Sequence, residues 1–244
     1  MTSLAPKTPA SGYYTQSQRP HPARYLGAYT ELAFVLESVQ FIWKTIVGAQ
    51  RQSPYSKVLI GLSGGSTPKK VLKTLASLCS NETGEFCIRR PSSQRIDPEP
   101  ECATHECAKI DWSRVAVFLV DERFVPPTHN DSNQKMIRET LLSHGMHDDK
   151  YIIGTSRLLF LSAGIPILEE NIVFPDTTKP IDECVSDYES RLRRTLASTG
   201  RPRLVVLGMG DDGHIASWFP PLSSEEYATA HSPHHLVHHN EQDR

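Results

Sequence analysis

The chain has 244 residues, 38% hydrophobic and 22% charged, with a formal net charge of -2. That length suits one large domain or two small ones, and the balanced charge offers no basic field for nucleic acid or an anionic membrane as main partner. No uninterrupted apolar run approaches the ~18 residues of a membrane helix, no signal-peptide pattern opens the chain, and five thinly spread cysteines suit a reducing compartment, so a cytoplasmic placement is expected.

Residues 1–24 are rich in Ser, Thr, Pro and Gln and carry no acid; a floppy terminus is expected, a transit peptide being the alternative. Residues 29–48 read as a helix, with Leu32, Val35, Leu36, Val39, Ile42 and Ile46 at helical spacing. Residues 58–62 (VLIGL) are a short buried strand. The turn SGGSTP follows and leads into a helix to about Leu78, for which Thr67 is the expected cap and Pro68 the expected first residue. Residues 80–112 show no period and read as a surface insert. Cys102, His105 and Cys107 lie there, but no second ligand pair at zinc spacing accompanies them, and free thiols are expected.

Residues 115–120 form the second buried strand, with Asp121, Glu122 and Arg123 at its tip. Asp131 or Ser132 caps the next helix, whose inward residues are Met136, Ile137, Leu141 and Leu142. Residues 150–178 are ambiguous, with apolar runs at 151–153 and 158–161. Pro180 opens a helix facing inward through Ile181, Cys184, Val185, Tyr188, Leu192 and Leu196, and Gly200 ends it. A third strand covers residues 204–207. Residues 221–244 form a polar tail with histidines at 231, 234, 235, 238 and 239, read as disordered rather than as a metal tract. Strands alternating with helices imply an α/β fold, a mostly parallel Rossmann-like sheet with helices on both faces. One domain is expected over residues 25–220.

Three strand tips carry the chemistry. The Ser63, Gly64, Gly65, Ser66, Thr67 turn before a helix can cradle an anion, best a phosphate, through backbone N–H groups, hydroxyls and the helix dipole. It lacks P-loop spacing. At the second tip Arg123 can either pair with its acidic neighbours or hold a phosphate or carboxylate oxygen. At the third, Gly208, Gly210 and Gly213 formally match GxGxxG, but the pattern neither follows the first strand nor opens a long helix, so a dinucleotide is not implied. There Asp212 stands two residues before His214, an acid placed to orient a general base. The glycine backbone offers an oxyanion site. With no Cys–His pair or GxSxG elbow, the set favours base-activated water or proton transfer on a phosphorylated small molecule, without metal.

These residues resemble the 6-phosphogluconolactonase family: LSGGSTP over 62–68, DERFVP over 121–126 with Asp131, Ser132 and Asn133, and LGMGDDGHIASWFP over 207–220. The resemblance spans roughly residues 28–220 apart from the insert. It implies the sugar-phosphate isomerase/lactonase type of fold and hydrolysis of 6-phospho-D-glucono-1,5-lactone to 6-phosphogluconate, with no cofactor, by a monomer or weak homodimer. It gives His214 the role of base toward water, Asp212 that of its orienter, and Arg123 with the first turn that of holding phosphate or sugar oxygens. Gly208, Gly210 and Gly213 would line the carbonyl end. Glucosamine-6-phosphate deaminases share the Gly-His-Ile-Ala tip and supply the alternative activity. The family pattern continues past the Phe-Pro with further strands, helices and basic residues. A shortened or altered C-terminus, and with it an inactive form, is therefore a further expectation.

Overall fold

The computed structural model describes residues 30–79, 109–142 and 164–219, together with 221, 223–224, 227–228 and 236–239. The expectations for residues 1–24, the Cys102/His105/Cys107 cluster, the runs at 151–153 and 158–161, and His231, His234 and His235 lie outside the described residues.

Helix α1 (Glu31–Gln52) is capped by Thr30, whose hydroxyl accepts from the Ala33 N–H. Strand β1 (Val58–Leu62) is buried along its whole length. Helix α2 (Ser66–Cys79) follows, then a 3-10 turn over Trp112–Arg114 that runs into β2 (Val115–Leu119). Helix α3 (Asn133–Thr140) is capped by Ser132. A two-residue strand β3 (Ile172–Val173), helix α4 (Ile181–Thr199) and β4 (Leu204–Val206) complete the described elements. All ladders are parallel and the strand order is β3-β2-β1-β4. The chain moves outward from β1 through β2 to β3, then crosses back to lay β4 on the other side of β1. That reversal makes the carboxyl ends of β1 and β4 the switch point of the sheet, the place where open α/β sheets hold ligands.

The two faces follow from the strand periodicity. Val58, Ile60 and Leu62 of β1 and Val115, Val117 and Leu119 of β2 meet α1, α2 and α3 in the larger core cluster. Leu59, Ala116, Phe118 and Val173 face the other way, onto Tyr188 and Leu192 of α4. Helices thus cover both faces, as the pattern requires of a parallel sheet. Tyr188 donates its hydroxyl to the Leu119 carbonyl at 2.5 Å, which ties α4 to the central strand.

Several expectations need correction. Lys69 N–H donates to the Gly65 carbonyl at 3.0 Å, so Gly65, not Thr67, stands at the cap of α2, and Pro68 is its third residue. Pro68 is tolerated there because N–H groups of the first turn have no helical partner in any case. The insert ends before Ile110, which is buried, and Trp112 packs against the core. Strand β3 falls in the ambiguous region; two residues are too few to show a period. The tail is not wholly detached: Leu236 N–H donates to Glu189 at 3.2 Å and Val237 packs on the α4 side of the sheet. Finally, α1 is long and apolar enough to cross a membrane, with a mean hydropathy of 1.4 over its best window, although charges interrupt it. Its inner face answers for that composition, since Val39 and Ile46 are fully buried in the core.

If α1 is a core helix, Ile46→Ala should lower the unfolding free energy by about 2–5 kcal/mol. Leu32→Ala, at 68% exposure, should change it by no more than about 0.5 kcal/mol. Urea unfolding followed by circular dichroism checks both, and equal effects would remove the distinction.

Candidate active site at the β1, β2 and β4 tips

Parallel pairing brings the carboxyl ends of β1, β2 and β4 to one edge, and their tips are tied together. Ser63 N–H donates to the Val206 carbonyl at 3.1 Å, and Val120 N–H donates to the Leu62 carbonyl at 2.8 Å. Beyond the ladders, Ser63 Oγ donates to Asp121 Oδ1 at 2.6 Å. A side chain on Gly208 would meet the Gly64 carbonyl at 3.2 Å and the Pro68 ring at 3.3 Å, so the β1 and β4 tips are in contact. Residues 65–67 are exposed beside this junction, at the start of α2. Ser63 and Gly64 are buried. The structure thus leaves Gly65, Ser66 and Thr67 facing solvent at a helix N-terminus, where backbone N–H groups can meet an anion, while the Ser63 hydroxyl is already committed to Asp121.

At the β2 tip the two acids and the arginine have separate tasks. Glu122 Oε1 accepts from Asn133 N–H at 2.7 Å and Arg123 N–H at 2.8 Å. Its Oε2 accepts from Gln134 N–H at 2.8 Å and Ser132 Oγ at 3.2 Å. Glu122 therefore satisfies the orphan donors at the start of α3 from outside the helix. Burial pushes its carboxyl up from the ordinary 4.5, against the opposing pull of the Gln134, Asn133 and Arg123 N–H groups and the Ser132 hydroxyl. Arg123 makes no ion pair with either neighbouring acid. Its Nη1 donates to the Asp131 carbonyl and to Asn133 Oδ1, both at 3.0 Å. Both acceptors are neutral, so the cation keeps its full charge at an exposed position.

The β4 tip folds into two tight turns. Gly210 N–H donates to the His214 carbonyl at 2.9 Å, and Gly213 N–H to the Gly210 carbonyl at 2.9 Å. Gly213 adopts φ 83°, the left-handed region that glycine enters without strain. These bonds fold the chain so that His214 Nδ1 meets Asp212 Oδ1, while Asp212 Oδ1 also accepts from the His214 N–H at 3.2 Å. A carboxylate only accepts, so Nδ1 carries the proton and Nε2 presents a lone pair. Nε2 has no partner among the described residues. The His214 ring bond, and then its backbone bond, hold the Asp212 carboxyl below the usual carboxylate range. The ring also lies 4.7 Å from Phe219, centroid to centroid. On its other side it fills the place of a Gly210 side chain, whose Cβ would fall 2.1 Å from Cε1. The expected oxyanion site loses two donors, because the Gly210 and Gly213 N–H groups close these turns.

The sequence reading passed over Asp121, Glu122, Asn133 and Phe219 as site residues. Asn133 had a usable signal. It lies one helical step before Ile137 and Leu141 (i, i+4, i+8), which places a polar residue on the inward stripe of α3, and it is 1% exposed.

A family model for glucosamine-6-phosphate isomerases/6-phosphogluconolactonase matches residues 98–244, more than half of the chain. A probable 6-phosphogluconolactonase of Dictyostelium discoideum is 30% identical over 162 residues, covering 66% of this chain and 48% of that protein. The solved 6-phosphogluconolactonase of Plasmodium vivax superposes with a TM-score of 0.53 at 29% identity, covering 78% of this chain and 49% of that one. That of Shewanella baltica gives 0.52 at 24% identity, covering 84% of this chain and 64% of that one, and supports the fold. The chain spans about half the length of the curated relatives it matches.

The Glu122 geometry has a pH consequence. A carboxyl whose folded-state pKa is raised contributes stability that is full below its unfolded value of 4.5 and is lost as pH rises through the folded value. Wild-type stability should therefore fall relative to that of Glu122→Gln as pH rises from 4.5. Urea titrations across a pH series check this, and a rise of wild type relative to the variant contradicts it.

Proposed function

The chain belongs to the glucosamine-6-phosphate isomerase/6-phosphogluconolactonase family, and we propose that it hydrolyses 6-phospho-D-glucono-1,5-lactone to 6-phosphogluconate. The observation that carries this reading is the His214–Asp212 pair at the β4 tip, with Nε2 unpartnered among the described residues and the tip in contact with the β1 anion turn.

In the proposed reaction, Nε2 of His214 takes a proton from water as the water oxygen bonds to the lactone carbonyl carbon. Asp212 holds the tautomer and stabilises the imidazolium that forms. Collapse of the tetrahedral adduct breaks the bond to the ring oxygen, which receives the proton from His214. One water has then added across the ester, and the catalyst is restored. The chemistry asks for neither cofactor nor metal. Arg123 and the exposed Gly65, Ser66 and Thr67 arc hold the phosphate, and Gly208 lines the junction between the β1 and β4 tips. Ser63 and Gly64 support the arc from below; Gly210 and Gly213 shape the turn that aims His214. The same reading takes residues 25–220 as one α/β domain acting in the cytoplasm as a monomer or weak homodimer.

His214→Asn should lower kcat roughly 10²- to 10⁴-fold. Asp212→Asn should lower it less, and Gly210→Ala should also lower it by displacing the imidazole. Loss of freshly made lactone, measured above the spontaneous rate with protein shown to be folded, checks all three. No such rate from folded wild type rejects the proposal. Ammonia release from glucosamine 6-phosphate without lactonase turnover would move the reading to the deaminase.

A further inference from the structure

We propose that Asn133 is the positioning residue that sets the aim and the charge of Arg123; this rests on the reading of Arg123 as a phosphate holder. Asn133 is 1% exposed yet makes polar contacts in three directions. Its Oδ1 accepts from Arg123 Nη1 at 3.0 Å. Its Nδ2 donates to the Asp121 carbonyl at 2.9 Å and to Asp121 Oδ2 at 3.3 Å. Its backbone N–H donates to Glu122. Against the β1 tip it lies so close that a Cβ on Gly64 would fall 1.8 Å from Oδ1. The side chain is therefore wedged between the first two tips, with no freedom to turn.

This placement does two things for Arg123. A guanidinium on a long side chain at an exposed tip would otherwise sample many rotamers and lose entropy on binding. Two bonds donated by Nη1, to the Asp131 carbonyl and to Asn133 Oδ1, fix the head and leave the Nε and Nη2 edge for a forked contact with phosphate oxygens. The second effect is electrostatic. Asp121 lies within reach of the same network, but its carboxylate is turned to Ser63 Oγ and Asn133 Nδ2. Asn133 is an amide that can accept from the cation on one side and donate to the anion on the other. It thereby keeps an acid and an arginine apart that would otherwise neutralise each other. An aspartate of the same shape would still accept from the cation, but it could not donate to Asp121, and its charge would neutralise the arginine.

Binding of 6-phosphogluconate, measured by calorimetry on the full chain, tests this without depending on turnover. Asn133→Ala and the isosteric Asn133→Asp should each bind roughly tenfold more weakly or worse, at unchanged circular dichroism. In an Arg123→Ala background, Asn133→Ala should cause no further loss, because the residue acts through the arginine. Where the chain turns over, the KM for the phosphorylated lactone should rise by more than kcat falls, a split that mere loss of folded protein cannot produce. Wild-type affinity in Asn133→Asp, or losses that simply add in the double variant, would overturn the inference. Failure of the wild type itself to bind would instead remove the phosphate reading of Arg123 beneath it.

Discussion

Everything at the site depends on β1 being hydrogen-bonded on both sides by strands that run its own way. Parallel ladders to β2 and β4 place three chain ends on one edge of the sheet, and the strand order reverses between β1 and β4. Helix α2 begins at the first of these ends and α3 begins just after the second. The site therefore collects helix N-termini, with their unsatisfied N–H groups and positive dipole ends, as a consequence of topology rather than of any one motif. Negative charge is what such an edge attracts, from inside the chain or from a ligand.

The chain's own acids are disposed so as to leave part of that field open. Glu122 closes the start of α3 with four accepted bonds. Asp121 is held by Ser63 and Asn133, and Asp212 by His214. Each of these carboxylates takes its side-chain partners from groups other than the Arg123 guanidinium, and among the described residues none of the three bonds to the exposed start of α2 at residues 65–67. What stays uncompensated among the described groups at this edge is a guanidinium and a helix terminus. That is the electrostatic profile the proposed phosphate site requires.

Much of this was legible in the sequence because the signals were local. Short apolar runs ending in glycines or in charged residues marked the strands that carry the site, and Ser132, Gly200 and the inward faces of α3 and α4 followed from caps and spacing. The two-residue β3 was not legible, since no period exists over two residues. The start of α2 was misread because the favoured cap chemistry of Thr67 and Pro68 was outweighed by Gly65, whose positive φ of 113° turns the chain two residues earlier. The polar network was missed for a different reason. Whether Asp121, Glu122 and Arg123 pair with one another or with something else depends on where Asn133 and Ser63 arrive, and those are long-range facts. The same holds for the glycine N–H groups, which spacing marked as an oxyanion site and folding used to close turns.

The two halves of the site rest on unequal foundations. Strands β1 and β2 are buried from end to end, and the arginine and its amide stand on them through a packed polar wedge. Strand β4 is three residues long, forms the edge of the described sheet, and leaves Val205 and Leu207 nearly half exposed. Past it, Met209 is 75% exposed and Ile215 43%. The His214 turn is therefore held by its own hydrogen bonds and by contact with Gly64 and Pro68, with little apolar burial behind it. Local opening free energies follow buried contact, so this turn should be the first part of the site to open while the half proposed to hold phosphate stays ordered. The proposed anion binding and the proposed proton transfer thus rest on separable parts of this chain, and a loss of the second would not by itself imply a loss of the first.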